Sequence, residues 1–163
     1  MVDKAAYPLS TSVASNVLIY SGPTLRSLCA SEQRDAAMAE LHRALYSGPG
    51  VLVIEDCFDV RVVDRASSAF DAIIEREKAQ GKAKGDHFAP AGKNERIWNS
   101  FQKHATADPA SFVQYYANPV LALVCEAWLG PGYSVTAQTN VVKPGGRAQE
   151  PHRDYREYNY NQC

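Results

Sequence analysis

The chain has 163 residues, 45% of them hydrophobic and 21% charged, which is enough for one buried core and ordinary for a single domain. Seventeen Lys and Arg against 18 Asp and Glu leave a formal net charge of -1, so no electrostatic case exists for nucleic acid or an anionic membrane surface. No apolar run is long enough to span a bilayer, and Cys29, Cys57, Cys125 and Cys163 are too scattered for a zinc site or a disulfide framework.

Residues 1–30 mix Ser, Thr and Pro with short apolar pieces and lack a charged start leading into an apolar core. They read as an N-terminal extension, and the protein as cytoplasmic. The first predicted helix runs from Ser31, as N-cap, to Tyr46, with Ala37, Leu41 and Leu45 on one face. Gly48-Pro49-Gly50 stops it, and Val51 to Ile54 has the β-branched character of a buried strand. Asp59 then caps a longer helix that turns Val62, Val63, Ala66, Ala69, Phe70, Ile73 and Ile74 inward, with Gly81 placed to end it.

Between Gly85 and Lys103, aromatics, charges and a proline follow no period, as in a loop crossing the mouth of a pocket. Asp108-Pro109 and Asn118-Pro119 each restart helix with a cap followed by proline at the first helical position. The second of these helices carries Leu121, Leu123, Val124 and Trp128 and closes at Gly130. Tyr133 to Val142 alternates as a strand, with Thr136, Gln138 and Asn140 on one side, a polar row expected to face inward onto a site.

After the Lys143-Pro144-Gly145-Gly146 turn comes a second strand carrying His152 and Asp154. Alternate residues of an extended strand point the same way, so this H-x-D pair can converge on one metal ion. Two such ligands make up most of the 2-His-1-carboxylate face of a non-heme Fe(II) oxygenase. The alternative is a surface His-Asp hydrogen bond on an edge strand. His42, among charged residues, reads as solvated, His104 as part of a loop entry, and His87 as a loop residue that could touch substrate. Trp98 and Trp128 read as core or pocket-wall aromatics.

The segments GVLVIEDCFD at 50–59, HFAPAGKNERIWN at 87–99 and QTNVVKPGGRAQEPHRDY at 138–155 resemble the phytanoyl-CoA dioxygenase-like Fe(II)/2-oxoglutarate oxygenases. The resemblance implies an α+β fold in which a helical N-terminal layer packs on a double-stranded β-helix, a cupin-like jelly roll. It implies Fe(II) held by His152 and Asp154, with 2-oxoglutarate as cosubstrate contacted by Asn140 and, more weakly, Gln138. The family pattern adds a distal histidine and an arginine anchoring the far carboxylate of 2-oxoglutarate, both beyond the H-x-D strand. This sequence reaches only Cys163, so residues 31–163 read as the N-terminal part of an oxygenase domain, truncated after that strand and inactive as it stands.

The implied partner is a small-molecule substrate, without nucleic acid or a membrane span, and an interrupted sheet would favour self-association through its open edge. Two further readings use the same partial fold: a non-catalytic interaction protein, and a cupin-like module holding another divalent ion through His152 and Asp154.

Overall fold

The computed structural model describes residues 1–82 and 94–147. The fold is α+β. After a single 3-10 turn at Lys4–Ala6, the described elements are β1 (Ser12–Ala14), β2 (Val17–Ser21), α1 (Gly22–Leu28), α2 (Arg34–Tyr46), β3 (Leu52–Glu55) and α3 (Val60–Ala79). They continue with β4 (Asn94–Ile97), α4 (Ser100–Ala107), α5 (Pro109–Tyr116), α6 (Pro119–Leu129) and β5 (Thr139–Val142).

Residues 1–30 are an integral part of the packing. Ser15 and Asn16 both take positive φ, 51° and 64°, which is the backbone of a two-residue hairpin turn, and Ala14 pairs with Val17 across it. β2 then pairs in parallel with β3, from Leu18 opposite Leu52 to Ser21 opposite Glu55, and α1 and α2 form the crossover between them. Leu18, Tyr20, Leu25 and Leu28 from this stretch are buried with Ala37, Leu41 and Ala44 of α2 and Val120 and Leu123 of α6. Arg34 of α2 bonds Glu126 of α6 at 2.5 Å along the same contact.

The start of α2 differs from expectation. Its N-cap is Gln33, which makes no side-chain cap, while the Ser31 hydroxyl accepts from Gln33 N and donates to the Leu28 carbonyl. That arrangement ends α1 and turns the chain before α2 begins. On α2 the buried face is Ala37, Glu40, Leu41 and Ala44, with Leu45 only half-buried. The Glu40 carboxylate is buried because it accepts from Leu9 N, a paired exception to the rule that carboxylates stay in water. β3 is not a fully buried strand: Val51 and Val53 are about half exposed, because β3 is an edge of the three-stranded sheet β1-β2-β3 and only Leu52 and Ile54 face the core.

α3 follows its reading closely. Asp59 caps it by accepting from Arg61 N. At the other end Gly81 (φ 66°) donates to the Lys78 carbonyl and Lys82 to that of Glu77, the paired bonds of a Schellman stop. Ala66, Ile73 and Ile74 are buried, whereas Val63 is exposed because α3 is covered along one stripe only.

Around α3 the described residues form a second packing unit. Ile97 of β4, Val141 of β5 and Phe70, Ile73 and Ile74 of α3 make its apolar centre. Asp108 and Asn118 cap α5 and α6 as expected, each followed by proline. Ahead of α3, Cys57 O accepts from Arg26 Nη2 at 2.7 Å and from Asn118 Nδ2 at 2.8 Å, tying the β3–α3 connection to α1 and to the start of α6. On α6 the inward residues are Val120 and Leu123, while Leu121 and Trp128 are exposed; Trp128 lies beside His42 and Tyr46 on the outside. Among the described residues no helix is long and apolar enough to cross a membrane, and Cys29, Cys57 and Cys125 are free thiols.

Candidate functional site

Residues 94–103, expected as part of an irregular loop, lie in β4, a two-residue turn and the start of α4. β4 and β5 pair antiparallel, with Asn94 opposite Val142, Glu95 opposite Val141, Arg96 opposite Asn140 and Ile97 opposite Thr139. Directly opposed residues share a face, so the ladder sorts the side chains into two sets. Glu95, Ile97, Thr139 and Val141 face α3. Asn94, Arg96, Asn140 and Val142 face away from it, and Trp98 and Gln138 continue that side by parity.

The polar row Gln138–Asn140 is therefore real as a face but open rather than internal: both side chains are exposed, and the inward side belongs to Thr139 and Val141. β5 is also shorter than the predicted strand from Tyr133. Its partner β4 ends at Ile97, after which Asn99 takes φ 55° and leads into α4, so the residues before Thr139 have no ladder to join. Gln138 nonetheless contributes there, its Oε1 accepting from Asn99 N at 3.1 Å. That bond engages the Gln138 oxygen in the turn, while the Asn140 side chain is exposed.

Sequence reasoning missed Arg96. Its guanidinium lies over the Trp98 ring at 4.0 Å from the centroid, two residues along the same face, a cation–π contact that holds a positive charge opposite Asn140. No local signal marks it: Asn94-Glu95-Arg96-Ile97 is three polar residues and one apolar one, without a period-2 pattern. Trp98 is thus a partly buried ring beside the Arg96 charge on the polar face.

Beyond Val142 the turn is well defined. Gly146 N donates to the Lys143 carbonyl at 2.7 Å with Pro144 and Gly145 (φ 80°) between, a type II turn with proline and glycine in the places that type demands. Glu95 reaches Lys143 at 2.7 Å and also pairs with Lys78 of α3. Burial raises the Glu95 pKa, but the two lysines outweigh it and hold the carboxyl below its usual range. Asn94, 2% exposed, donates from Nδ2 to the Arg147 carbonyl at 2.9 Å.

His104 is corrected outright. It lies within α4, fully buried, with Nε2 3.0 Å from Ser111 Oγ and its ring edge-on to Phe70 at 4.8 Å. Burial lowers its pKa, and Asp108 opposes that only in part. It is a core histidine. His42 is on the surface as expected, with Nδ1 2.9 Å from the Ala127 carbonyl and its ring stacked on Tyr46. His87, His152 and Asp154 lie outside the described residues. Among the described residues no three His, Cys, Asp or Glu side chains cluster to hold a metal.

Comparisons with curated proteins and with solved structures give no match. Among protein-family models, Phytanoyl-CoA dioxygenase (PhyH) matches residues 46–162, well over half of the chain. The matched stretch takes in β3, α3, the β4–β5 pair with its polar face, the type II turn and the H-x-D pair, and leaves most of the first packing unit ahead of it. The chain belongs to the phytanoyl-CoA dioxygenase family.

Proposed function

We propose that this chain is an Fe(II)- and 2-oxoglutarate-dependent dioxygenase polypeptide, its domain taking in residues 31–163 and its β4–β5 pair belonging to a jelly-roll sheet. His152 and Asp154 are the metal ligands in this reading. Their donor chemistry fits: an imidazole nitrogen and a carboxylate, two residues apart, suit a borderline divalent ion such as Fe(II) and leave positions open for a chelating cosubstrate. Bound iron with 2-oxoglutarate supplies dioxygen-driven hydroxylation of an unactivated C–H bond, chemistry that side chains alone do not provide. The substrate is a small molecule and the setting cytoplasmic.

The chain's own residues bind and orient. 2-Oxoglutarate is a dianion, and the face that holds Asn140 also holds the Arg96 guanidinium, kept in place by Trp98. Asn140 offers an exposed amide able to donate to a carboxylate, and Gln138 is the second, weaker contact. The observation that carries the reading is the family match running through this face and on to the H-x-D pair.

The test is binding of 2-oxoglutarate to the Fe(II)-loaded chain under argon, followed by the visible absorption band of the metal-bound 2-oxoacid. Asn140→Ala should weaken binding about tenfold, the loss of one good hydrogen bond to a charged group. Absence of any 2-oxoglutarate-dependent band with Fe(II) present would remove the proposal.

A further inference from the structure

We propose that His104 is a pH switch for the polar face of the β4–β5 pair, reaching that face through α4. What the face binds is a separate matter, resting on the reading of Asn140 and Arg96 as cosubstrate contacts.

The packing accepts only a neutral ring. His104 is fully buried between α3 and α5, with Nε2 3.0 Å from Ser111 Oγ and no partner for Nδ1 among the described residues. An imidazolium has two N–H donors, so a charged ring would leave one of them buried and unsatisfied. The charged groups around it are committed elsewhere. On α5, the Asp108 carboxylate accepts from Arg65 of α3 at 2.8 and 2.9 Å and from Ser111 N at 3.0 Å, so turning it toward the ring would cost α5 its cap. On α3, Glu77 pairs with Lys103 of α4. The remaining neighbours are rings, Phe70 of α3 and Phe112, Tyr115 and Tyr116 of α5. Burial lowers the pKa of the imidazole, and Asp108 opposes that only in part. A proton on His104 is therefore accommodated by releasing the ring from α3 and α5.

The route from the ring to the face is short. His104 is the fifth residue of α4, and the first turn of that helix is closed by Lys103 N donating to the Asn99 carbonyl at 3.0 Å. Asn99 N donates in turn to Gln138 Oε1 at 3.1 Å, and the residue before it is Trp98, whose ring lies under the Arg96 guanidinium. An eight-residue helix closed by its own hydrogen bonds shifts as one piece against its neighbours. Release of His104 thus draws on Asn99, the point at which α4 meets the polar face. Below about pH 6.5 each pH unit favours the released arrangement by at most about tenfold, one proton being taken up.

The experiment measures amide exchange of the full chain by NMR at about pH 6.5 and about pH 5.5, corrected for the pH dependence of intrinsic exchange. Protection at both Lys103 and Asn99 should fall severalfold, tenfold at most, from a level below that of Leu41 in the first core, and in His104→Gln it should stay flat. A fall at Lys103 with Asn99 unchanged overturns the inference, because the helix then loosens without reaching the face. So does a fall that persists in His104→Gln, no fall at all, or protection at Asn99 equal to that at Leu41 at both pH values, which is exchange by global unfolding. Should His104→Gln fail to fold, the NMR titration of the His104 ring takes its place: proton uptake that coincides with lost protection at Asn99 supports the switch, and uptake without that loss overturns it. None of these outcomes depends on 2-oxoglutarate, so they leave the reading of the face to its own test.

Discussion

Protonation of His104 should unlock the packing of α4 on α5 and α3, and the pH window follows from its surroundings. The ring is fully buried, joined to Ser111 through Nε2 and ringed by Phe70, Phe112, Tyr115 and Tyr116. Burial lowers its pKa in the folded chain, while the unfolded side chain titrates near its ordinary value of about 6.5. The sign is settled by proton count. Below about pH 6.5 the unfolded state binds a proton that the folded state refuses, so stability is full above that value and falls as the pH drops toward the lowered folded pKa. One proton of difference gives at most about 1.4 kcal/mol per pH unit, so moving from pH 7.5 to 5.5 costs up to about 1.4 kcal/mol from this residue. Urea unfolding of the wild type and of His104→Gln, which keeps a hydrogen-bonding group toward Ser111, isolates that loss from the other histidines. The wild type should lose more stability than the variant over that interval. Equal losses, or a His104 ring that titrates near pH 6.5 in the folded protein, would show that His104 does not supply this pH dependence.

Two further outcomes test the packing. Leu41→Ala, at a fully buried position facing α6, should cost about 2–5 kcal/mol in urea unfolding because the first core cannot collapse around a lost isobutyl group. Asn118→Ala should cost about 2 kcal/mol, since it removes the cap on Val120 and Leu121 N and the bond to Cys57 O; Asn118→Asp, which keeps the cap, should cost less.

What the sequence discloses here depends on how local the cause is. Asp59, Asp108 and Asn118 announce their helices because capping and the following backbone are decided within three residues, and Gly81 ends α3 for the same reason. The hairpin at Ser15-Asn16 escaped notice because neither residue is glycine, although both adopt the left-handed backbone the turn needs. β4 escaped because three polar residues and one apolar one show no period-2 pattern and form a strand only when β5 is there to pair with them. Parity identified Gln138 and Asn140 as one face, but parity cannot say which face a helix covers; the apolar centre around Ile73 and Ile97 decides that. His104 was misread for the reverse reason, its burial arising from rings on α3 and α5 that are remote from its own sequence neighbourhood.

Anaerobic titration of the chain with Fe(II) tests His152 and Asp154 as the metal pair. Binding should be present in the wild type and in His87→Ala, and lost in both His152→Ala and Asp154→Ala. Fe(II) affinity unchanged in the last two variants would exclude the pair as the metal ligands.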